Sequence, residues 1–478
     1  MTATRTRPLG LVIVAASVPM FMATLDNLVV TNALPEMAKD IDASLEQLQW
    51  IVNAYSLAFA SLILMAVALG DRLGRRRIFV GGIVVFTAAS ALCALATDPS
   101  QLIAARALQG AGAAAVMPLS LALLAGAVPA SKRPLAIGIW GGVAGLGVAL
   151  GPLIGGAVVE GLTWHAIFWL NVPVGIVAIG LVYAALNEAF GRKARLDWTG
   201  LALAASAVFG LVFGIIRGNE AGWTSPQVLA GLVGGALLLG AFLLWERRTA
   251  DPLLPLTLFR DRSFSAANGV GLLFSIGIFG AIFILIQFMQ VVQGKSPLEA
   301  GVMTMPWTMA PLVVAPIAGI IAPRVGTRVL IVSGTTLQAA GLAWIALTLS
   351  PDVPYSTLVP AFVLAGVGMG LVFAPSATAV LANMRDEDQA KASGTNSTVR
   401  EIGVALGIAI LTAVFTGAGG ELTPTAYTDA AIPAVWTGVA FLLGASAVGL
   451  ALPRRNRANG SQPDAMAESP SSVATVAA

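Results

Sequence analysis

A carboxylate and a guanidinium stand inside two apolar runs of the chain, where charged groups are rare. Asp26 lies in the run from about residue 9 to 31, and Arg106 lies in the run from about 101 to 124. A charged side chain at the middle of a membrane costs about 2.5 to 3.5 kcal/mol, so such residues usually face a polar interior or a transport pathway. Asp26 and Arg106 are therefore the first candidates for chemistry.

The two groups can meet at one depth. Asp26 lies nine residues before Pro35, which is roughly 13 Å along a helix, and Arg106 lies roughly 9 Å into its own run. Burial favours the neutral form of a carboxyl group, whereas a nearby cation favours the ionised form. A carboxyl group held between these influences can take up and release a proton, as a proton-coupled transporter requires. The alternative is a static ion pair that only fixes packing.

Arg400 and Glu401 form a second embedded pair, in the stretch TVREIGVALG. Glu401 is a candidate second proton site or a cation-binding acid, and the alternative is that both side chains snorkel to the nearby interface.

The rest of the sequence offers few residues suited to metal binding, disulfide formation or catalysis. The single His165 and the single Cys93 exclude a multi-histidine metal site and an intramolecular disulfide. No nucleophile, metal or nucleotide motif stands out, so we expect no enzyme activity, no metal and no cofactor. The chain has no Walker motif, so an ATP-driven pump would need a separate motor subunit.

The composition indicates an integral membrane protein. Of the 478 residues, 57% are hydrophobic and 11% are charged, whereas soluble domains have about 25% charged residues. A sequence pI of 9.2 suggests nucleic-acid binding, but the positions of the basic residues argue against it. Of the 27 Lys and Arg residues, 22 lie at the N-terminus, in alternate loops or in the C-terminal segment, and the opposite loops contain only Lys39, Arg217 and Lys295. By the positive-inside rule both termini are cytoplasmic.

About fourteen transmembrane helices account for this alternation. At about 20 apolar residues per span, we place them near 9–31, 48–69, 78–97, 101–124, 135–158, 165–186, 198–216, 227–245, 263–291, 299–321, 328–349, 355–381, 394–416 and 431–451.

Two sequence matches at a similar offset indicate a duplicated half. GVALG occurs at 147–151 and at 403–407, and the pattern of GDRLGRRR at 70–77 returns in GIIAPRVGTRV at 319–329. Spans one to six then match spans nine to fourteen. The predicted organisation is an N-terminal half at 1–190, an inserted helix pair with linkers at 191–262, a C-terminal half at 263–452 and a disordered cytoplasmic tail at 453–478.

The loop GDRLGRRR has features beyond its basic charge. Gly74 permits a tight turn, and Asp71 can pair with basic residues or with a helix N-terminus and so latch the cytoplasmic side. A purely topogenic basic loop is the alternative. In GVALGPLIGG, Gly147, Gly151 and Gly155 recur every fourth residue, which allows close helix packing, and Pro152 bends the helix.

These motifs, with ARALQGAGAAAVMP and LDNLVVTNALP, resemble those of the major facilitator superfamily, and the chain as a whole is similar to its fourteen-helix drug:proton antiporter family. The resemblance implies the major facilitator fold and a role for Arg106 in proton transfer. It also implies that the loop residues Asp71, Arg72, Gly74, Arg75 and Arg76 gate the cytoplasmic side. Finally, it implies that the helix-five motif of Gly147, Gly151, Pro152, Gly155 and Gly156 marks an exporter.

Polar or aromatic residues on spans two, nine and ten are candidates for a substrate cavity: Asn53, Tyr55, Gln287, Gln290 and Trp307. Trp and Tyr near span ends also serve as interfacial anchors. We expect an antiporter in a bacterial plasma membrane that exports amphipathic organic compounds in exchange for protons. Its partners are then the small molecule, protons and membrane lipids, without nucleic acid, and the protein is a monomer. The alternatives are a dedicated exporter of one natural product, an uptake symporter, and a receptor or scaffold without transport.

Overall fold

The computed structural model describes residues 8–129, 132–190, 197–250, 252–384 and 389–454, apart from some side chains within the helices. In these ranges each predicted span coincides with an α-helix. The helices are α1 Leu9–Asp40, α2 Leu45–Leu73, α3 Arg75–Ala94, α4 Pro99–Ala127, α5 Arg133–Gly161, α6 His165–Ala185, α7 Trp198–Ala221, α8 Pro226–Glu246, α9 Arg262–Val291, α10 Pro297–Val325, α11 Thr327–Thr348, α12 Tyr355–Leu381, α13 Gln389–Gly417 and α14 Pro424–Gly449. A short 3-10 helix, Leu256–Arg260, precedes α9. The predicted tail lies outside the described residues beyond Arg454.

Among the described residues, twelve helices are long and apolar enough to cross a membrane, or thirteen if the bent α2 is one span. The chain is therefore a multi-pass, all-helical membrane protein. We refer to the side of the bundle on which α1 ends and α2 begins as the α1–α2 end, and to the opposite side as the α2–α3 end. The sequence predicts that the α2–α3 end is cytoplasmic.

The same start and stop signals bracket α2 and α10. Helix α2 follows Ser44, whose capping box with Gln47 satisfies the first backbone N–H groups, and α10 follows Ser296, which forms a capping box with Glu299. Both helices end at a glycine with positive φ, +115° at Gly74 and +94° at Gly326. Residues with a Cβ rarely adopt this conformation, so the turn after each helix depends on glycine.

The order of helix packing also repeats. Helix α1 packs on α5 and α6, α2 on α4, and α3 on α4 and α6; in the same way α9 packs on α13 and α14, α10 on α12, and α11 on α12 and α14. The two sets meet through α5 against α10 and α2 against α13. Helices α7 and α8 pack on each other, and α7 also contacts α2 and α13.

Glycines allow close packing within two of the repeated helix pairs, α3 with α4 and α11 with α12. A Cβ at Gly82 of α3 would lie 2.8 Å from the carbonyl oxygen of Gly112 on α4, and a Cβ at Gly334 of α11 would lie 2.7 Å from that of Gly368 on α12. Both values are below ordinary van der Waals contact. Small residues at such crossings let helix backbones approach closely in a membrane.

This close approach predicts a difference in stability between two neighbouring glycines. Gly82→Ala places a Cβ 2.7 Å from that of Ala115, and such overpacking costs about 1–3 kcal/mol. Gly81→Ala meets no atom within 4 Å and gains helix propensity of about 1 kcal/mol. Thermal unfolding of the purified variants in detergent should show a lower midpoint for Gly82→Ala and an unchanged or higher midpoint for Gly81→Ala. Equal midpoints would contradict the proposed crossing.

Candidate functional site

Asp26 and Arg106 are in direct contact. Arg106 Nη1 lies 2.5 Å from Asp26 Oδ2, and the two residues are 0% and 2% exposed respectively. Asp26 comes from the middle of α1 and Arg106 from the second turn of α4. The structure thus brings together the two charged residues that the sequence placed at one depth.

Polar side chains from three helices complete the surroundings of Asp26. Its Oδ1 accepts hydrogen bonds from Gln109 Nε2 on α4 (2.9 Å) and from Asn171 Nδ2 on α6 (2.8 Å). Ser90 on α3 accepts from both amides, at 2.7 Å and 3.3 Å. The carboxylate therefore has a partner on each oxygen, which offsets the cost of burying it.

Arg106 is held by backbone and aromatic contacts in addition to the carboxylate. Its Nε donates to the carbonyl of Ile51 (3.2 Å), and its guanidinium carbon lies 4.4 Å from the centre of the Tyr55 ring. Tyr55 is itself fixed by a hydrogen bond from its hydroxyl to the carbonyl of Ala23 (3.1 Å). Arg106 Nη2 is buried and has no hydrogen-bond partner among the described residues. An unpaired buried donor is costly, and this nitrogen is a place where a water or a polar group of a ligand can bind.

The Asp26 carboxylate supplies the charge that holds Arg106 Nη1. The Gln109 and Asn171 side chains each have both a donor and an acceptor, so the shell around the pair can serve hydrogen-bond partners of either kind. Tyr55, a candidate for the substrate cavity, lies with its ring against the guanidinium.

The second predicted pair is only partly described. Both residues lie on α13, and the side chain of Glu401 lies outside the described part of the structure. The guanidinium carbon of Arg400 lies 5.3 Å from the centre of the Phe373 ring on α12. A hydrogen bond between Asn396 and Asn268 (3.2 Å) links α13 to α9 in the same region. The role of Glu401 stays a prediction.

The candidate gating loop is bound to the segment that follows α6. Asp71 pairs with Arg75 within the loop, at 2.7 Å. The backbone N–H of Arg76 donates to Glu188 Oε1 (2.8 Å), and Arg76 Nη1 donates to the carbonyl of Leu186 (3.1 Å). A Cβ at Gly74 would lie 2.7 Å from the carboxyl carbon of Glu188. These contacts tie the loop to α6, while Arg72 is exposed.

The glycines of α5 face two different neighbours. Gly147 and Gly155 pack against α1, where a Cβ would lie 3.1 Å from Thr24 Cβ and 2.9 Å from the carbonyl oxygen of Val29. Gly156 packs against the start of α10, with a Cβ position 2.7 Å from the backbone nitrogen of Leu298. Gly151 is buried, and the Pro152 side chain lies outside the described residues. The motif thus holds α5 between α1 and α10.

The other cavity candidates lie on α2, α9 and α10. Asn53 is fully buried on α2, and neither atom of its amide has a hydrogen-bond partner within the described ranges. Gln287 donates to the carbonyl of Phe283 on its own helix (3.2 Å). Trp307 is buried and stacks on Phe362, with ring centres 5.8 Å apart.

Gln290 contacts a residue that the sequence reasoning missed. Its Nε2 donates to both the backbone oxygen and the Oδ1 of Asn32 on α1, each at 3.0 Å, and Asn32 Nδ2 donates to the carbonyl of Pro297 (2.7 Å). Ser90, Gln109 and Asn171 were also missed. Asn32, Gln109 and Asn171 carried a usable signal, because each is an amide within an apolar run, whereas Ser90 carried none.

The chain matches a known family over most of its length. The model described as Major Facilitator Superfamily matches residues 17–199, 180–408 and 268–475. The chain belongs to the major facilitator superfamily.

Two relatives within this superfamily carry names that refer to resistance. The tetracenomycin C resistance and export protein of Streptomyces glaucescens is 35% identical over 425 residues, which cover 88% of this chain and 79% of the relative. The multidrug resistance protein Stp of Mycobacterium tuberculosis is 36% identical over 406 residues, covering 84% of this chain and 75% of the relative. Among solved structures, a bacterial homolog of the human lysosomal transporter Spinster, inward-facing and unoccupied, has a TM-score of 0.64 at 18% identity and covers 93% of this chain and 96% of that one. That likeness supports the major facilitator fold alone.

The buried ion pair predicts strong coupling between its two residues. Arg106→Leu leaves Asp26 buried without its cation, and Asp26→Leu leaves Arg106 without its anion, so each should cost about 3–5 kcal/mol. The double variant removes both charges and should be less destabilised than the sum of the two singles. Thermal unfolding in detergent of the four proteins of this cycle measures the coupling. If the double variant loses as much stability as the two single variants together, Asp26 and Arg106 do not stabilise each other.

Proposed function

We propose that the chain is a proton-coupled antiporter that exports amphipathic organic compounds across the plasma membrane of a bacterium by alternating access. The observation that carries this proposal is the buried Asp26–Arg106 pair with its shell of amides in the middle of the bundle. The names of the two relatives support export of antibiotics or drugs as the transported class.

Asp26 would be the proton carrier of the cycle. When ionised it holds Arg106, and when protonated it no longer balances that charge, so the guanidinium becomes free to turn toward a substrate or water. Substrate binding and proton binding would then exclude each other, which is the condition for antiport. One elementary charge moving through 100 mV is worth about 2.3 kcal/mol, so one or two protons can drive uphill export. Glu401 is proposed as a second proton site.

Alternating access would require the contacts at the α1–α2 end to open. Asn32 joins α1 to Gln290 and Pro297 there, and Ser296 donates to Glu160 of α5 at 2.8 Å. These hydrogen bonds close that end, which the basic loops predict to be extracellular. We assign this conformation to the inward-facing part of the cycle, with the loop of Asp71 to Arg76 closing the opposite end in the outward-facing part.

The repeated packing supports a layout of fourteen transmembrane helices. We propose two six-helix halves, α1–α6 and α9–α14, with α7 and α8 as an inserted pair and with both termini cytoplasmic. Asn53 and Trp307 are the proposed cavity residues, because each has a buried polar group without a partner among the described residues. We expect a monomer that binds its substrate between the halves.

A dedicated exporter of one natural product is the second candidate. The relative from Streptomyces glaucescens is named for one antibiotic, whereas the relative from Mycobacterium tuberculosis is named for many. Transport measured with a panel of lipophilic cations, neutral drugs and aromatic antibiotics separates the two functions.

Asp26→Asn should abolish coupling of substrate to protons, because the amide has nearly the same shape and cannot titrate. The measurement is internal pH in liposomes containing the purified protein, recorded while each compound of the panel is added. Wild type should move protons with at least one compound and Asp26→Asn with none.

Glu36→Gln is the matched control, because Glu36 lies on the same helix and its side chain is 47% exposed; this variant should behave as wild type. Substrate-driven proton movement that survives in Asp26→Asn would exclude Asp26 as the coupling site and make Glu401 the next variant to measure.

Linking α5 to α10 at the α1–α2 end should arrest transport. In a Cys93→Ser background, Glu160→Cys with Ser296→Cys can be joined by a short bifunctional thiol reagent, since the native side chains are 2.8 Å apart and exposed. Treatment should reduce export to the level of empty liposomes. Glu36→Cys with Lys39→Cys, a pair on α1 alone, is the control and should keep full activity. Unchanged export after complete cross-linking of 160 to 296 would show that this end does not open.

A further inference from the structure

A crevice lies between α7, α2 and α4, on the face of α4 away from the charge site. Its volume is about 670 Å³. Trp50 and Ser61 mark its extent on α2, Ser100 and Ala104 line it on α4, and Ser206 and Phe209 line it on α7. Ser100, Ala104, Ser206 and Phe209 are exposed, so the crevice opens sideways, where the hydrocarbon of the membrane would lie.

The depth of the crevice matches one leaflet. Ser61 lies eleven residues after Trp50, which is roughly 16 Å along a helix, and the hydrocarbon core of a bilayer is about 30 Å thick. Because Trp50 lies near the start of α2 and Ser61 near its middle, the crevice runs from the α1–α2 end to the centre of the bundle.

The side chains along the crevice change from charged to apolar in the same order as the groups along a phospholipid, from headgroup to acyl chain. At the α1–α2 end Arg217 of α7 pairs with Glu46 of α2, at 3.0 Å and 3.1 Å. One turn deeper, Trp50 lies against Phe209 and Phe213, with ring centres 6.0 Å and 6.2 Å apart. Charged groups at headgroup level followed by Trp at the interface are typical of membrane surfaces. Below this aromatic layer the lining is apolar, apart from serine hydroxyls.

The crevice is separate from the proposed transport site. Its α4 lining consists of Ser100, Ile103, Ala104 and Ala107, whereas Arg106 and Gln109 lie on the opposite face of α4 and are fully buried. None of the lining residues is charged. Apart from serine hydroxyls the lining offers little to the polar group of an amphipathic drug, while an acyl chain has none to satisfy.

We propose that this crevice binds one acyl chain of a phospholipid from the leaflet at the α1–α2 end. The chain lies between α7 and the groove of α2 and α4, and its headgroup lies at the level of Glu46 and Arg217. The bound chain is part of the contact between α7 and the rest of the bundle. This site is independent of transport, and its test needs no substrate.

The test is photolabelling in vesicles of phosphatidylethanolamine that contain a trace of a phospholipid with a diazirine on one acyl chain. Mass spectrometry of the digested wild-type protein should place the label on crevice residues of α4 and α7. Ala104→Trp fills the crevice and should lower this labelling at least fivefold. Ser206→Trp fills it from α7 and should do the same, so the result does not depend on the folding of one variant.

The matched control is Leu108→Trp, because Leu108 is 44% exposed on α4, one turn from Ala104, and does not line the crevice. Leu108→Trp should label as wild type does. Three results would overturn the proposal: labelling spread evenly over exposed helices in wild type, unchanged labelling in both filled variants, or loss of the label when a lipophilic drug is added. The last result would make the crevice a drug site instead.

Discussion

The ion pair of Asp26 and Arg106 can exist in the interior only because five helices supply its partners. Helix α1 carries the carboxylate and α4 the guanidinium, while α3, α6 and α2 contribute Ser90, Asn171 and the Tyr55 ring. Removing either charged residue would leave the other buried without its counterion, at a cost of several kcal/mol. The relative positions of α1 to α6 are therefore constrained by polar geometry as well as by apolar packing.

Within the described part of the chain, this polar site occurs in the first set of helices and not in the second. The close approach of Gly110 to the backbone of Tyr55 recurs as that of Gly366 to the backbone of Trp307. Four residues before these glycines stand Arg106 and Phe362. Where the first set stacks a guanidinium on Tyr55, the second stacks Phe362 on Trp307. The two sets thus share a backbone arrangement, and they differ in whether its centre carries charge.

At the α1–α2 end, hydrogen bonds join the first set of helices to the second. Asn32 makes hydrogen bonds to Gln290 and to the carbonyl of Pro297, directly beside the close approach of Gly156 to Leu298. Hydrogen bonds of this kind contribute about 0.5–1.5 kcal/mol each, so a few of them can be broken and reformed at modest cost. The interior of each set, by contrast, is close-packed through glycines and is suited to move as one body.

The sequence alone determined the helices and their order. Apolar run lengths, Gly74 and Gly326 as stop signals, and the alternation of basic loops are local or compositional properties, and they placed every helix within a few residues, apart from the starts of α13 and α14 and the ends of α1 and α7. Sequence also identified Asp26 and Arg106, because charge inside an apolar run is conspicuous without knowledge of neighbours. Tertiary structure decided which groups surround them. Ser90 and Asn171 come from helices distant in the chain. Packing sets the rotation of each helix about its axis, and this rotation determines whether a side chain such as Tyr55 meets the guanidinium or a cavity. The link of Asn32 to Gln290 and the crevice beside α7 likewise depend on contacts between helices that are not neighbours in the chain, which no local pattern encodes.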